Sequence, residues 1–477
     1  MSVLSWREAA REAPDREALR VDDIVWSFST LAARVTAAAA ELHRRGVSPG
    51  QRVSLKAANG LATLVASLAV IEAGATLVPL HPRLTPAEDA VVLADATPVL
   101  SLNETDAQAL LEAPAASDCT EVPYDPDVAA MVMYTSGTSG RPKGVVLSRR
   151  AFVAAATASA GRLGWGDDER WLVCLPLCHI GGFSILTRCL LGRGTVVLAT
   201  GGFQADRVLA LIARHRPTLL SVVPTMLHTL LERDGDNVLA SLRAVLVGGA
   251  AAPSSLLTTC AERRVPALTT YGLTEACSQV TTQEPRDPGR TEPGSGRPLP
   301  GVEVRLVGDD GQPVAPGEVG TIQVRGPALM DGYLHAPPAP AGLATPAPWF
   351  DTGDLGSWTA DGCLAVHARR SDLIVTGGEN VSPFEVEQAL TSLDGVEAAM
   401  VFAVPDPVWG QRVAAALVAR HPLDEGALWQ RLTTTLASHK LPRLVCLTDA
   451  LPVGSTGKPL RREALARFGA ALRPWVT

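Results

Sequence analysis

The sequence predicts an α/β protein with a large N-terminal domain of α/β layers, a small β subdomain and an α+β C-terminal domain. Helical segments and short apolar runs alternate over the first 300 residues, period-two strand patterns follow, and a compact mixture of helices and strands begins after residue 370. The length of 477 residues exceeds the roughly 250–300 residues at which single cores stop growing. At least two domains are therefore expected.

The first half of the chain carries the α/β pattern. A helix is predicted over 28–47, capped by Ser29 or Thr30 and ended by Gly46. A strand is predicted after Gly50. Further apolar runs predict strands covered by helices, as in parallel sheets, at 75–80, 173–176, 194–199, 218–223 and 244–247.

Residues 61–80 form the most membrane-like window. Glu72 and Gly74 interrupt it and Pro79 ends it, which favours a buried helix running into a buried strand over a membrane span. The first 20 residues contain no apolar segment typical of a secretory signal. With a net charge of −7, the sequence predicts a cytoplasmic protein without nucleic acid or membrane partners.

The eight cysteines form no CxxC pair. Cys174, Cys178 and His179 lie close in sequence, but the other half of a zinc site is missing. Buried, reduced thiols are therefore the favoured interpretation, and a metal site at these cysteines the weaker one.

The pattern changes near residue 300. Alternating segments at 302–307, 320–326 and 363–367 predict antiparallel strands of a smaller barrel or sheet, and 336–348 a Pro/Ala surface loop. Beyond residue 370 the sequence predicts helices over 384–390 and 425–437 and strands over 396–404 and 413–419. A boundary near Arg369–Arg370 divides the chain into domains 1–369 and 370–477.

The strongest chemical signal is the loop 134–144, Tyr-Thr-Ser-Gly-Thr-Ser-Gly-Arg-Pro-Lys-Gly, which follows an apolar run. Glycines let backbone N–H groups turn toward a phosphate, hydroxyls add donors and Lys143 supplies charge. It is not a Walker loop, because no Gly-Lys-Ser/Thr follows. A flexible Ser/Gly linker is the alternative, but such linkers rarely follow a buried strand.

This loop resembles the phosphate-binding signature of the superfamily of acyl-CoA synthetases, peptide-synthetase adenylation domains and luciferases. The superfamily's other motifs follow in order, over nearly the whole chain: Gly248-Gly-Ala, Tyr271-Gly-Leu-Thr-Glu275, Trp349-Phe-Asp-Thr-Gly-Asp354, Ala368-Arg-Arg-Ser-Asp372, Gly377 to Glu385 and Gly454-Ser-Thr-Gly-Lys458. The resemblance implies an AMP-forming ligase that uses ATP and Mg²⁺ and has a mobile C-terminal domain.

The resemblance also implies roles for single residues. Tyr271 stacks near adenine, Asp354 binds the ribose hydroxyls, Glu275 helps to hold Mg²⁺ and Arg370 is the hinge. The implied nucleotide-binding residues are Thr135, Ser136, Gly137, Thr138, Ser139, Lys143, Gly249, Ala250, Tyr271, Asp354 and Arg369. The implied catalytic residues are Lys458, Thr274, Glu275 and His179.

Two positions depart from the superfamily's pattern. Ala368 stands where glycine is usual at the start of the hinge, and Cys178 stands where a bulky aromatic residue is usual before His179. Alanine is small, so a modest backbone effect is expected at the hinge. The smaller Cys178 is expected to widen the packing around His179.

The segments 175–188 and 274–280 are most similar to the o-succinylbenzoate–CoA ligases of menaquinone biosynthesis. That resemblance implies an aromatic diacid as substrate, coenzyme A as acceptor and Arg188 near the acid. A guanidinium in the apolar segment 183–191 needs a partner, and a second substrate carboxylate would serve bidentately. The alternative is an arginine that reaches solvent from a helix surface. Ser278 and Gln279 either line the same pocket or fill a strand end.

Other functions remain open at this point. The chain could be another aryl- or acyl-CoA ligase, a stand-alone adenylating enzyme that loads a carrier protein, or a non-catalytic nucleotide-binding regulator. The intact Lys143, Glu275, Asp354 and Lys458 count against the regulator. The expected partners are a small carboxylic acid, ATP and coenzyme A, and a homo-oligomer is compatible with the sequence.

Overall fold

The computed structural model describes residues 4–115, 122–136, 142–285, 294–336, 348–369, 372–376, 379–454 and 460–475. Ser136 and Arg369 are described through their backbone only. Several predictions lie outside the described residues: nearly all of the Pro/Ala loop, Gly137, Thr138 and Ser139 of the phosphate loop, the hinge residue Arg370 and the catalytic Lys458.

The larger N-terminal sheet has nine strands in the order β14-β13-β12-β11-β10-β8-β9-β1-β2. Its central strands are parallel, and β2, β13 and β14 add antiparallel pairs at the two edges. The strands are β1 (Glu17–Val21), β2 (Ile24–Ser27), β8 (Arg170–Val173), β9 (Thr195–Leu198), β10 (Leu219–Val222), β11 (Ala244–Val247), β12 (Ala267–Leu273), β13 (Ser278–Thr282) and β14 (Arg297–Pro298).

A second sheet has the order β17-β7-β6-β4-β3-β5. Its strands are β3 (Arg52–Lys56), β4 (Thr76–Leu80), β5 (Leu100–Leu102), β6 (Ala129–Ser136), β7 (Pro142–Ser148) and β17 (Gly332–Tyr333). The helices of this part of the chain are α1 (Trp6–Glu12), α2 (Phe28–Arg44), α3 (Leu61–Glu72), α4 (Pro86–Ala96), α5 (Glu104–Leu111), α6 (Arg149–Leu163), α7 (Ile180–Gly192), α8 (Ala205–His215), α9 (Pro224–Arg233) and α10 (Ser254–Glu262).

One hydrophobic core joins the two sheets, with α3 and α7 among its most buried elements. In α3, every residue from Thr63 to Ile71 is buried. This burial explains why the segment resembles a membrane span in sequence, and the prediction of a buried helix followed by a strand is confirmed. In the described residues, no helix has the length and apolar character needed to cross a membrane.

The cap of α2 differs from the prediction. The helix begins at Phe28, and the Ser27 hydroxyl accepts a hydrogen bond from the Thr30 backbone N–H (3.2 Å). Phe28 is buried and draws the helix start forward, so the prediction of Ser29 or Thr30 as cap was wrong. Gly46 follows the helix with φ +88°, the left-handed conformation that glycine adopts without strain.

The predicted antiparallel β subdomain is present. Its strands are β15 (Glu303–Val307), β16 (Gly320–Arg325), β18 (Phe350–Trp358) and β19 (Leu364–Arg369). They pair in the order β15-β16-β18-β19, every pair antiparallel. The predicted period-two pattern was correct because alternate residues of these strands pack together in one hydrophobic cluster, among them Leu306, Ile322, Val324 and Leu364.

The chain after residue 370 forms an α+β unit. Its strands are β20 (Ile374–Thr376), β21 (Glu379–Val381), β22 (Val396–Asp406), β23 (Gly410–Ala419), β24 (Leu444–Leu447) and β25 (Arg473–Pro474), and its helices α11 (Pro383–Thr391), α12 (Glu425–Thr435) and α13 (Arg461–Phe468). Two hydrophobic clusters in this region consist only of residues after 370. Each face of the sheet thus has its own core.

Candidate active site

A large cleft lies at the carboxyl ends of three parallel strands. Strands β10, β11 and β12 run into it at 221–224, 246–253 and 269–274, and residues 382–399 line it from the C-terminal part of the chain. Ligands of α/β proteins bind at the carboxyl ends of parallel strands. The cleft is therefore the candidate active site.

The predicted phosphate loop connects β6 and β7. Thr135 and Lys143 lie opposite each other in this antiparallel pair, so the loop is the tip of a β-hairpin. The Tyr134 hydroxyl donates to Asp95 Oδ2 (2.6 Å) and anchors the base of the hairpin. The Lys143 Nζ lies 5.2 Å from the centroid of the Tyr333 ring. The structure thus fixes both ends of the predicted loop.

The predicted ribose and adenine residues are in contact. The Tyr271 hydroxyl donates to Asp354 Oδ2 (2.7 Å), and both side chains are buried. The Asp354 backbone N–H donates to the Thr352 hydroxyl (3.1 Å), and Gly353 has φ +70° in this turn. Asp354 lies opposite Arg369 in the β18–β19 pair. Motifs that are far apart in sequence therefore meet at one end of the cleft.

The Gly248-Gly249-Ala250 turn borders the same end of the cleft. A Cβ atom at Gly248 would lie 2.7 Å from Thr270 Cγ2. A larger residue at this position would therefore prevent the close approach of the chain after β11 to β12. Gly249 has φ +81°, which disfavours other residues. The predicted adenine-side loop is thus a tight backbone turn.

Glu275 lies in a single 3-10 turn, Thr274–Ala276, between β12 and β13. Its side chain is buried, and Oε1 accepts a hydrogen bond from the Tyr333 hydroxyl (3.0 Å). The Met330 backbone N–H donates to the Glu275 carbonyl (2.8 Å). A carboxylate oriented in this way is a hard oxygen ligand of the kind that Mg²⁺ prefers.

Arg188 lies on α7 and also lines the cleft. We name the part of the cleft around it the acid end, after the ligand that the resemblance implies. Its side chain is only 3% exposed, so the alternative of an arginine reaching solvent is wrong. Its Nη2 donates to the Ser278 hydroxyl (3.1 Å), and its Cζ lies 5.1 Å from the centroid of the Trp171 ring. Among the described residues no carboxylate pairs with Arg188, and its Nε has no hydrogen-bond partner. Burial lowers the pKa of Arg188 to about 10, which still leaves it charged near pH 7.

Ser278 and Gln279 differ in their surroundings. Ser278 has φ +105° and presents its hydroxyl to Arg188. Gln279 is buried, accepts from the Ser159 hydroxyl and donates to the Thr282 hydroxyl, both at 2.8 Å. Both residues line the cleft. The amide of Gln279 is nevertheless hydrogen-bonded to other side chains of the protein, which agrees with the alternative that it fills a strand end.

His179 is the N-cap residue of α7 and lines the cleft with Cys178. The turn before it is tight, since a Cβ atom at Gly182 would lie 2.3 Å from the Pro176 carbonyl oxygen. The predicted strand 173–176 ends at Val173 for the same reason, because the chain turns into the cleft there. The Cys174 thiol is buried and donates to the Ser221 carbonyl (3.5 Å).

Two residues of the site were not predicted from the sequence. Tyr333 holds Glu275 and lies near Lys143, but it belongs to a strand of only two residues. His81 follows β4 and has its ring centroid 5.5 Å from that of His179. Neither residue is part of a recognisable motif. Only the pairing of distant strands brings them to the cleft.

The chain belongs to the AMP-binding enzyme family. The family model described as AMP-binding enzyme matches residues 6–334, and the model of the AMP-binding enzyme C-terminal domain matches residues 385–458. The chain is therefore an enzyme of the AMP-forming ligase class, as the motifs predicted.

Two relatives are similar along nearly the whole chain. The 2-succinylbenzoate–CoA ligase of Bacillus licheniformis is 36% identical over 472 residues, which covers 96% of this chain and 98% of the relative. The o-succinylbenzoate CoA synthetase of Bacillus subtilis, solved with the acyl-adenylate OSB-AMP, is 33% identical with a TM-score of 0.87, covering 96% of this chain and 97% of that one.

The Bacillus subtilis protein has also been solved in other states. Its complex with ATP and a magnesium ion gives a TM-score of 0.87 at 33% identity and covers 96% of this chain and 98% of that one. A double mutant of it bound to the product analogue OSB-NCoA gives a TM-score of 0.72 at 33% identity and covers 99% of each chain. The present chain thus superposes better on the ATP-bound and adenylate-bound forms.

Proposed function

We propose that this enzyme joins o-succinylbenzoate to AMP and then transfers the acyl group to coenzyme A. The observation that carries the choice of acid is Arg188, a buried cation that no carboxylate among the described residues neutralises. A buried charge is costly unless it is paired. A second carboxylate on the substrate would supply that pair. The similarity to two o-succinylbenzoate ligases supports the same acid.

The first half-reaction needs two anions to approach each other. The substrate carboxylate attacks the α-phosphate of ATP, the acyl–phosphate bond forms and pyrophosphate leaves. Lys143 and the hydroxyls of its loop would bind the phosphates, and Lys458 would neutralise the attacking carboxylate. Glu275, oriented by Tyr333, would hold Mg²⁺, which neutralises phosphate charge when bound.

The nucleoside would lie at the opposite end of the cleft from Arg188. Asp354 accepts from Tyr271 through one oxygen, and its carboxylate would also accept from the ribose hydroxyls. The Tyr271 ring would lie against the adenine, next to the turn at Gly249. In this proposal the α-phosphate would lie between the nucleoside and the acid.

In the second half-reaction the thiol of coenzyme A attacks the acyl-adenylate and AMP leaves. We propose that residues 370–477 rotate as a domain about Arg370 between the two steps. The two hydrophobic clusters confined to residues after 370 support a separate unit. The two TM-scores of the Bacillus subtilis protein, 0.87 with OSB-AMP and 0.72 with the product analogue, fit two arrangements of that relative.

The requirement for ATP and coenzyme A suits a cytoplasmic enzyme, and we propose that location. A homo-oligomer stays a prediction that gel filtration with light scattering can test. Neither proposal affects the chemistry of the cleft.

Acid-dependent exchange of pyrophosphate into ATP tests the proposed substrate. The panel contains o-succinylbenzoate, benzoate and a medium-chain fatty acid, followed by thioester formation with coenzyme A. The highest kcat/KM is expected for o-succinylbenzoate. Preference for benzoate or the fatty acid would reject the diacid but retain the ligase class, and adenylate formation without transfer to coenzyme A would indicate a carrier-protein acceptor.

The hinge is tested with Arg370→Pro, because proline fixes φ near −65° and hinges need large φ/ψ changes at few residues. One half-reaction should be lost and the other retained, measured as pyrophosphate exchange and as thioester formation from pre-made acyl-adenylate. Wild-type rates in both assays would place the hinge elsewhere.

A further inference from the structure

Three metal-binding side chains meet in the cleft. His81 follows β4, and Cys178 and His179 form the turn before α7. One ligand atom from each residue lies within 4.8 Å of the other two. In the part of the chain that the structure describes, this is the one group of three or more His, Cys, Asp or Glu residues with that property. The sequence suggested Cys174 instead of His81 as the third metal ligand, but the Cys174 thiol donates a hydrogen bond to the Ser221 carbonyl oxygen.

The donor set is the one that Zn²⁺ prefers. Imidazole nitrogen and thiolate sulfur bind Zn²⁺ at about 2.0–2.3 Å, which puts tetrahedral ligand atoms roughly 3.3–3.6 Å apart. A contraction of about 1 Å would therefore complete the site. All three residues line the cleft, and three protein ligands leave a fourth position open.

The surroundings fix which protons must move. Burial raises the pKa of the Cys178 thiol to about 12, while the nearby Arg83 favours the thiolate. Burial and the charges of Arg83 and Lys56 lower the pKa of His81, so its imidazole is neutral near pH 7. On metal binding the sulfur–hydrogen bond breaks, a sulfur–metal bond forms and the proton leaves to solvent.

We propose that His81, Cys178 and His179 bind one thiophilic divalent metal ion of the Zn²⁺ class, and that the bound ion blocks the acid end of the cleft. Metal binding stands on the geometry alone, whereas the inhibition rests on the proposed function. His179 is the N-cap of the helix that carries Arg188, and both residues line the same cleft, so an ion held there would obstruct the path of the acid to Arg188. Inhibition should therefore compete with the acid and not with ATP.

Direct binding is tested with Co²⁺ alone, titrated into the metal-free, full-length enzyme. One equivalent per chain should give the ligand-field bands of tetrahedral Co²⁺ and a thiolate-to-cobalt charge-transfer band that Zn²⁺ abolishes. Cys178→Ser should remove the charge-transfer band, and His81→Ala should weaken binding at least about tenfold. The matched controls are Cys260→Ser, a buried thiol elsewhere, and His228→Ala, a histidine that lines the same cleft.

Persistence of the charge-transfer band in Cys178→Ser, or equal weakening by His228→Ala and His81→Ala, would overturn the metal site. The His81 variant keeps the test valid if Cys178→Ser does not fold. Loss of the signal in Cys260→Ser would likewise move the site away from the cleft.

Inhibition is measured as the rate of pyrophosphate exchange with o-succinylbenzoate at rising Zn²⁺ and a fixed excess of Mg²⁺. The rate of each variant is compared with its own rate without Zn²⁺. Excess acid should relieve the inhibition of the wild type and excess ATP should not, and Cys178→Ser should need at least about tenfold more Zn²⁺ for the same inhibition. Cobalt binding without such inhibition would retain the metal site and reject the proposed inhibition. If none of the tested acids supports pyrophosphate exchange, the proposed function is rejected, and the cobalt spectra still decide whether the metal site exists.

Discussion

Two parts of the cleft are built differently: the part around Tyr271, Asp354 and Glu275, named the nucleotide end after its proposed ligand, and the acid end around Arg188. At the nucleotide end, acidic groups are held by tyrosines: Tyr271 donates to Asp354 and Tyr333 donates to Glu275. At the acid end a buried cation, Arg188, has a hydroxyl and an aromatic face as neighbours but no carboxylate among the described residues. The nucleotide end thus has its charges oriented in advance, whereas the acid end has a charge that awaits a ligand.

This difference separates the constant part of the chemistry from the variable part. An AMP-forming ligase always uses ATP, so the part of the cleft that holds the nucleotide can use fixed backbone turns and fixed hydrogen bonds. If Arg188 binds a second carboxylate as proposed, the site rejects acids that lack one, because a buried polar group is then left without its partner. Substitutions at the two ends should therefore change different kinetic constants.

The largest effect is expected from Lys458→Ala. Removing a charge that stabilises the transition state should lower the rate of adenylation by about 100- to 1000-fold. Thioester formation from pre-made acyl-adenylate should be largely spared, because the proposed rotation removes this lysine from the site. Measuring the two half-reactions separately is the test, and equal losses in both would reject the two-arrangement model.

The matched control is Lys440→Ala. This lysine also lines the cleft, but its Nζ lies 2.6 Å from Glu385 Oε1, so its charge is already neutralised. It should change the two half-reactions to a similar and small extent. A selective loss of adenylation in Lys440→Ala would show that Lys440, and not Lys458, supplies the catalytic charge.

The next effect concerns the acid end. A hydrogen bond to a charged group contributes about 1.5–3 kcal/mol, or roughly 10- to 150-fold in affinity. Arg188→Ala should raise the KM for o-succinylbenzoate by that factor and leave the KM for ATP nearly unchanged. Arg188→Lys should recover only part, because lysine lacks the planar fork. If Arg188→Ala unfolds and the soluble remainder keeps its acid preference, the arginine is structural.

Motifs in the sequence indicate more of the residues at the proposed nucleotide end than at the proposed acid end, and the reason is physical. The loop around Lys143 and the turn at Asp354 are contiguous segments whose glycines and hydroxyls show their backbone chemistry directly. His81 and Tyr333 reach the site only because distant strands and helices pack together. Their side chains have no local pattern that distinguishes them from ordinary core or surface residues.

The helices and strands show the same division between features that are local in sequence and features that depend on tertiary packing. The buried helix α3 and the antiparallel β subdomain follow from hydrophobic periodicity, which each segment carries by itself. The cap of α2 was wrong because burial of Phe28, a tertiary effect, decides where the helix begins. The end of the strand at Val173 was missed for a similar reason, since the turn toward His179 depends on Gly182 packing against Pro176.

Gln279→Leu tests whether the acid end includes that residue. The substitution removes the acceptor of the Ser159 hydroxyl and the donor to Thr282. Buried polar groups left without partners cost about 1–3 kcal/mol, so the free energy of unfolding should fall by that amount in denaturant titrations. The ratio of kcat/KM values between o-succinylbenzoate and benzoate should stay constant. A changed ratio with unchanged stability would place Gln279 in contact with the acid.

The smallest effect is expected at the nucleotide end, from Tyr271→Phe. The ring that we propose lies against the adenine is kept, and only the hydroxyl that donates to Asp354 Oδ2 at 2.7 Å is removed. One hydrogen bond contributes about 0.5–1.5 kcal/mol, so the KM for ATP should rise roughly 2- to 12-fold. The KM for the acid should not change. The matched variant is Tyr333→Phe, which frees Glu275 instead and should raise the Mg²⁺ concentration needed for half-maximal rate. If Tyr271→Phe raises the KM for the acid and spares that for ATP, the two ends of the cleft have been assigned in the wrong order.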